Sequence, residues 1–175
     1  GSNKGESWAA SAVCKRQMKT GHKRPLLFPG SFDPFTKGHL SIVERGLKIA
    51  DRIVVAVGIN EAKRCMFSAE ERVNAIKGVF AADERISVVT YGGLTVDAVK
   101  ESDADGILRG VRTLADFEYE RNMADMNRML AGIETVLLFS EPELACISSS
   151  ALRELIKFGR DISPFIPEGL MLPKK

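Results

Sequence analysis

The residues best suited to chemistry lie in one short segment, residues 28–39, which contains a glycine turn followed by a histidine. Its apolar lead, Leu26-Leu27-Phe28, predicts a buried strand that ends at Pro29-Gly30, and Gly38-His39 opens an amphipathic run. A helix start has backbone N–H groups without intrahelical partners and the positive end of the helix dipole, and both favour an anion. The segment therefore predicts a site for the phosphates of a nucleotide, with His39 beside them.

The remaining residue types argue against covalent or metal chemistry. Two histidines and three cysteines supply no Ser-His-Asp set, no C-x-x-C spacing and no zinc cluster, and the sequence contains no G-x-x-x-x-G-K-[ST] loop. For Cys146, which precedes a run of three serines, we expect apolar packing. Hydroxyls, cations and helix N-termini remain, and these groups position and neutralise phosphates.

The elements that must position these groups alternate along the chain. Apolar runs predict strands at residues 26–28, 52–58, 86–90, 106–108 and 135–139, and helical patterns follow at residues 38–49, 69–79, 94–101, 114–130 and 150–158. The Ser68-Ala69-Glu70-Glu71 segment has the form of a capping box. Strands and helices at these intervals imply right-handed crossovers, so the predicted fold is α/β, with one doubly wound, five-stranded parallel sheet of Rossmann-like type.

In such a sheet, ligands bind beyond the carboxyl ends of the strands. Polar residues follow the predicted strands in chain order, namely Ser31, Lys63, Thr95, then Arg109 and Arg112, and last Ser148 to Ser150. Segments distant in sequence are therefore expected to converge on one pocket.

Composition sets the class of protein. The chain has 175 residues, 45% hydrophobic and 27% charged, which is typical of one soluble domain. Residues 1–24 carry six Lys or Arg against one Glu, so we expect a disordered, basic extension, partly derived from cloning, before a domain at residues 25–175. Without a spanning segment or a signal-peptide core, the expected location is cytoplasmic, with no membrane or nucleic-acid partner.

Several motifs together carry a family resemblance. They are the Thr36-Lys37-Gly38-His39 segment, Lys63 before Met66-Phe67-Ser68, residues 107–112, residues 116–120, Met126-Asn127-Arg128 and Ile147-Ser148-Ser149-Ser150. The first resembles the T/H-x-G-H signature of the nucleotidylyltransferase superfamily. In order and spacing, over roughly residues 25–167, the set is similar to bacterial phosphopantetheine adenylyltransferases, and the resemblance implies transfer of the adenylyl group of ATP to 4′-phosphopantetheine, giving dephospho-coenzyme A and pyrophosphate.

The resemblance also implies roles for single residues. His39, Lys63, Ser31 and Arg112 correspond to the catalytic set. The ATP-binding positions are Ser31, Phe32, His39, Gly110, Val111, Arg112, Glu120, Leu144, Ala145, Cys146, Ile147, Ser148, Ser149 and Ser150. Those for phosphopantetheine are Ser31, Lys63, Thr95, Arg109 and Asn127. Asp116 is expected to orient an arginine or a magnesium-bound water, and Leu144 stands where many relatives have tryptophan near the adenine.

Further expectations concern cofactors and partners. Mg²⁺ is expected with ATP, bound mainly by phosphate oxygens and water, because no protein metal site is visible in the sequence. The resemblance implies a homohexamer, with dephospho-coenzyme A as product and coenzyme A as product or inhibitor.

Two alternatives remain open at this point. The chain resembles, in its first and last motifs, other adenylyl- and cytidylyltransferases that act on nicotinate mononucleotide or glycerol phosphate, although Thr36 stands where cytidylyltransferases usually have a first histidine. A nucleotide- or coenzyme A-sensing module without turnover is the second alternative. Pyrophosphate release with each candidate acceptor distinguishes them.

Overall fold

The computed structural model describes residues 24–60, 62 and 64–174, so the predictions for residues 1–23 and for Lys63 lie outside the described part of the chain. The strands are β1 (Pro25–Gly30), β2 (Arg52–Gly58), β3 (Ile86–Tyr91), β4 (Gly106–Val111) and β5 (Glu134–Phe139). The helices are α1 (Lys37–Gly46), α2 (Ala69–Val79), α3 (Thr95–Glu101), α4 (Leu114–Ala131) and α5 (Ser149–Lys157).

All five strands are parallel and lie in the order β3-β2-β1-β4-β5, which confirms the predicted doubly wound α/β sheet. The chain first adds β2 and β3 on one side of β1, then returns and adds β4 and β5 on the other side. The strand order therefore reverses between β1 and β4, and a ligand crevice is expected at their carboxyl ends.

The register shows how this crevice opens. Strands β1 and β2 are paired along six residues, from Pro25 with Arg52 to Gly30 with Val57. In contrast, the pairing of β1 with β4 covers only Leu26 with Gly106 and Leu27 with Ile107. Beyond this point the backbones of the two described strands no longer form a ladder, which leaves room for side chains between them.

Side chains alternate along the buried strands, so the hydrophobic core has one part on each face of the sheet. Phe28, Val55 and Leu108 contribute to the core on one face, together with buried residues of α1 and α2. Leu27, Val54 and Ile107 contribute to the other, together with buried residues of α3. Both faces are covered, as the continuous apolar strands predict.

Several element bounds differ from those predicted by one to three residues, and three of these differences affect the site. Strand β1 continues through Pro29 and Gly30, and β4 continues through Arg109 to Val111, so Arg109 lies within its strand rather than after it. Helix α5 begins at Ser149 instead of Ser150, because the hydroxyl of Ser148 accepts from the N–H of Ala151 and caps the helix.

None of the described helices is both long and apolar enough to cross a bilayer.

Close packing of α1 against the sheet predicts that Gly46→Ala destabilises the protein. A Cβ at Gly46 would lie 2.6 Å from Cδ2 of Leu108 and 3.2 Å from Cδ1 of Ile53. We expect the free energy of unfolding in urea to fall by about 1–3 kcal/mol, because overpacking displaces core side chains. Gly92→Ala is the control, since a Cβ there meets nothing within 4 Å. Equal stability of the two variants would contradict the packing argument.

Candidate active site

Two adjoining cavities, of about 680 and 650 Å³, lie at the carboxyl ends of β1 and β4. We call the smaller one the His39 cavity, after the histidine in its wall, and the larger one the Asn127 cavity. Both are lined by Pro29, Gly30, Ser31, Arg109, Tyr119 and Glu120. Ser31 is exposed at this common wall, so a molecule in either cavity has access to it.

Most of the site residues predicted from the sequence line one or both of these cavities. Lining the His39 cavity are Ser31, Phe32, His39, Arg109, Gly110, Arg112, Asp116, Glu120, Ile147, Ser148, Ser149 and Ser150. Lining the Asn127 cavity are Ser31, Thr95, Arg109, Glu120 and Asn127. Val111, Leu144, Ala145 and Cys146 do not line either cavity. Val111 is buried and Cys146 is exposed.

His39 is part of the hydrogen bonding that caps the N-terminus of α1. It is the third residue of the helix, where its Nδ1 accepts from the backbone N–H of Thr36 at 3.0 Å, and the hydroxyl of Thr36 accepts from the backbone N–H of His39. This is a capping box in which histidine takes the place of the usual Glu or Gln. Because Nδ1 is the acceptor, the ring proton of the neutral histidine lies on Nε2, which is free to donate to a ligand.

The surroundings of His39 keep this ring neutral. Burial, and then the positive charges of Arg112 and Arg109, lower the pKa of His39 from 6.5 to about 3. The ring of Phe32 meets it edge to face, with the centroids 5.0 Å apart. His39 is therefore an uncharged hydrogen-bond donor at neutral pH, held among positive charges.

The loop between β1 and α1 is fixed by close packing. Phe32 is buried although its φ is +50°, a left-handed conformation that few non-glycine residues adopt. Gly30 lets the ring of Phe32 fold back over the end of β1, since a Cβ at Gly30 would lie 2.8 Å from Cζ of Phe32. The backbone at Ser31 is thereby turned toward the cavities.

Three side chains that the sequence analysis missed connect this loop to other segments. The carboxylate of Asp33 accepts from the N–H groups of Met66 and Phe67 at 2.8 and 2.9 Å. Buried Arg72 donates to the carbonyls of Ser31 and Gly58, and Arg153 donates to the carbonyl of Asp33. The sequence does contain one signal, because Arg72 occupies a position on the apolar face of α2, beside Val73 and Ile76.

The serine triplet joins the same loop. Ser149 donates from its hydroxyl to the carbonyl of Pro34 at 2.8 Å, Ser148 caps α5, and the hydroxyl of Ser150 accepts from Arg153. The N-terminus of α5 is thus held against the loop between β1 and α1, which contains Thr36, the N-cap residue of α1. His39 and the three serines at the start of α5 line one cavity, as the sequence predicted.

The acidic residues of the site are paired with its arginines. Glu120 is buried and accepts from Nε and Nη2 of Arg109, with distances of 2.7–3.0 Å. Asp116 accepts from Nε of Arg112 at 3.1 Å, in agreement with the expectation that it orients an arginine. For Glu120 the resemblance implies a nucleotide contact, and in the structure its carboxylate lines the His39 cavity and is paired with Arg109.

The described acidic side chains of the site are already engaged by other groups of the protein. Among the described residues, no group of three His, Cys, Asp or Glu side chains could hold a metal ion. The three carboxylates of the His39 cavity, those of Asp33, Asp116 and Glu120, are engaged by backbone N–H groups or arginines. The chemistry available is the binding of anions by hydroxyls, guanidinium groups, a helix N-terminus and a neutral imidazole.

Known proteins are similar in sequence to this chain over most of its length. Residues 27–155 match the family model described as cytidylyltransferase-like. A phosphopantetheine adenylyltransferase from Porphyromonas gingivalis is 55% identical over 150 residues, which cover 86% of this chain and 98% of the relative. Relatives of the same name from Phocaeicola vulgatus and Clostridium perfringens are 52% and 44% identical and cover 85% and 83% of this chain, and 99% and 89% of their own lengths. The chain belongs to the phosphopantetheine adenylyltransferase family.

Membership in this family confirms the resemblance and the fold class that the sequence predicted. As a phosphopantetheine adenylyltransferase family member, the chain is an enzyme with nucleotidyltransferase function in coenzyme A biosynthesis.

The lowered pKa predicts that the ring of His39 does not titrate between pH 8 and 5. In that range a ¹⁵N NMR spectrum of the ligand-free protein should show a neutral ring with its proton on Nε2, because burial and two arginines oppose protonation. Unfolded chains bind this proton below about pH 6.5. The stability that His39 contributes is therefore present above pH 6.5 and decreases as the pH falls toward 3, by at most about 1.4 kcal/mol per pH unit.

The control for this prediction is His39→Asn, whose amide oxygen can replace Nδ1 as the acceptor for Thr36. Urea unfolding of the two proteins should show a steeper acid-side loss of stability in the wild type. A ring that titrates near pH 6.5, or equal slopes for both proteins, would contradict the environment described for His39.

Proposed function

We propose that this enzyme transfers the adenylyl group of ATP to 4′-phosphopantetheine, giving dephospho-coenzyme A and pyrophosphate. An oxygen of the acceptor phosphate bonds to the α-phosphorus of ATP, the bond from that phosphorus to the bridging oxygen breaks, and the electron pair leaves with pyrophosphate. The observation that carries the proposal is the pair of adjoining cavities, which share Ser31 and Arg109 and so bring two anions to one wall.

The described residues support a direct displacement without a covalent intermediate. The hydroxyls of the serine triplet are engaged with backbone or arginine, and Nδ1 of His39 accepts from the backbone N–H of Thr36, so none of these three serines is paired with His39 as a base. The acceptor phosphate needs no base, because its second pKa is about 6 and it is largely a dianion at neutral pH. Catalysis then rests on positioning and on stabilising the charge that develops at the α-phosphate.

Each group has a role in this proposal. Nε2 of His39 donates to the α-phosphate as its charge develops, and Arg112, with the start of α5 and the serine triplet, holds the β- and γ-phosphates. Ser31 orients the acceptor phosphate, and Arg109 binds it. Thr95 and Asn127 bind the pantetheine arm in the Asn127 cavity. Lys63 stays a predicted contact to the acceptor phosphate, since it lies outside the described residues.

Mg²⁺ belongs to the proposal as part of the ATP complex. The carboxylates of the His39 cavity are already engaged, which supports an ion carried by the triphosphate oxygens and water rather than by a protein site.

The proposed assembly is a homohexamer in the cytoplasm. Helix α4 exposes several large apolar side chains, and this supports burial of the helix against another copy of the chain. They are Leu114, Tyr119, Met123, Met126, Met129 and Leu130. Dephospho-coenzyme A is the proposed product, and coenzyme A its competitor for the same site.

Pyrophosphate release with different acceptors tests the proposed reaction. With ATP and Mg²⁺, we expect turnover with 4′-phosphopantetheine and little with nicotinate mononucleotide or glycerol phosphate. Pantetheine without its phosphate is the matched control, because it keeps the arm and lacks the nucleophile. Turnover with another acceptor phosphate would replace the assignment, and nucleotide binding without pyrophosphate release would favour a sensor.

The role of His39 is tested separately with His39→Asn, which keeps an acceptor for the N–H of Thr36 and removes the Nε2 donor. We expect kcat to fall about 10²–10³-fold, the effect of removing one donor to a developing oxyanion, and KM for ATP to change much less. An unchanged kcat would remove His39 from the mechanism and leave it as a helix cap.

A further inference from the structure

A buried arginine on α2 contacts the loop that forms the wall between the two cavities. Arg72 is only 4% exposed, and it belongs to the face of the helix that also buries Val73 and Ile76. A buried cation is unfavourable unless it is paired or hydrogen-bonded, and a well-packed apolar side chain in place of buried charge is often neutral or stabilising. The packing of the core alone therefore does not account for this guanidinium.

The hydrogen bonds of Arg72 join three segments of the chain. Its Nε donates to the carbonyls of Phe67 and Ser68, just before α2, at 3.1 and 3.3 Å. Its Nη1 donates to the carbonyls of Ser31 and Gly58, at 2.5 and 3.2 Å. Among the described residues, its hydrogen-bond acceptors are all backbone carbonyls. One guanidinium thus fixes the loop after β1 relative to the end of β2 and the start of α2.

The contact to Ser31 also sets the direction of the next backbone N–H. The peptide bond between Ser31 and Phe32 is trans, and in a planar trans peptide the C=O and N–H groups point in opposite directions. Because the carbonyl of Ser31 is directed toward Arg72, the N–H of Phe32 is directed away from it. Phe32 lines the His39 cavity, and no acceptor for its N–H is found among the described residues. This N–H is therefore available to an anion in that cavity.

We propose that Arg72 is a positioning residue, which fixes the peptide between Ser31 and Phe32 so that the N–H of Phe32 donates to the α-phosphate of ATP. The ring of Phe32 lies against that of His39, so this N–H and Nε2 of His39 belong to the same part of the wall. Two fixed donors stabilise the charge that develops at the α-phosphate as pyrophosphate leaves. The inference rests on the proposed function for the identity of the ligand.

Arg72→Lys tests this role, because it keeps a positive charge and removes the planar fork that reaches several carbonyls at once. The substrates are 4′-phosphopantetheine and the two diastereomers of adenosine 5′-O-(1-thiotriphosphate), in which sulfur replaces one or the other non-bridging oxygen of the α-phosphate. A donor directed at one of these oxygens makes the enzyme prefer one diastereomer. We expect the ratio of the two kcat/KM values to fall by about 10-fold in Arg72→Lys. With ATP itself, kcat should fall by about 10–100-fold and KM should change much less.

The ratio does not depend on how much of the enzyme is folded, so it separates positioning from a loss of stability. Arg85→Lys is the matched control, because Arg85 is an exposed arginine paired with Asp83 and should keep the wild-type ratio. Equal ratios in the wild type and Arg72→Lys, or a wild-type enzyme without a preference, overturn the inference. If Arg72→Lys does not fold, Arg72→Gln serves the same test, since its shorter side chain keeps N–H donors and cannot reach all of these carbonyls.

A measurement without turnover separates this inference from the proposed function. The amide proton of Phe32 is followed by NMR while α,β-methylene-ATP, which cannot release pyrophosphate, is added. We expect a downfield shift of this resonance in the wild type and a smaller one in Arg72→Lys. An unchanged resonance in the saturated wild-type enzyme overturns the inference. Failure of the proposed function appears elsewhere, as wild-type enzyme that releases no pyrophosphate with ATP and 4′-phosphopantetheine.

Discussion

The hydrogen bond from the backbone N–H of Thr36 to Nδ1 of His39 is the contact on which the site depends. It satisfies an N–H at the start of α1 that the helix itself leaves unpaired, so the fold requires it before any ligand is present. The same bond fixes the ring orientation and places the ring proton on Nε2. Helix capping and the preparation of a neutral donor are therefore one interaction.

A site for two anions needs many positive charges, and these would repel one another without counter-ions. The structure places a carboxylate beside two of them, Glu120 at Arg109 and Asp116 at Arg112. The guanidinium of Arg72 is instead surrounded by carbonyls at the ends of β1 and β2. Each of these arginines is held in one direction, so little reorganisation is needed when phosphates enter. Because β1 and β4 are paired over only two residues, space for the phosphates remains between the ends of these strands.

Connections between loops make these contacts mutually dependent. Asp33 holds the segment before α2 through two backbone N–H groups, and Ser149 and Arg153 hold the start of α5 against the loop that contains Asp33. The loop after β1, the segment before α2 and the start of α5 are thus joined by hydrogen bonds. Positions held by several hydrogen bonds retain their geometry better than positions on free loops, which suits a reaction that depends on alignment.

The sequence by itself determined the sheet and most of its helices, because apolar runs and capping residues such as Thr36 and Ser68 act over a few neighbouring positions. It also predicted that His39 and the serine triplet face one cavity, since the carboxyl ends of parallel strands meet at one edge. Only the tertiary structure decided which charged groups are paired. Glu120 and Arg109 are 11 residues apart, and Arg72 reaches Ser31 across 41. Neither contact follows from local spacing, because burial and the opening between β1 and β4 exist only in the assembled sheet.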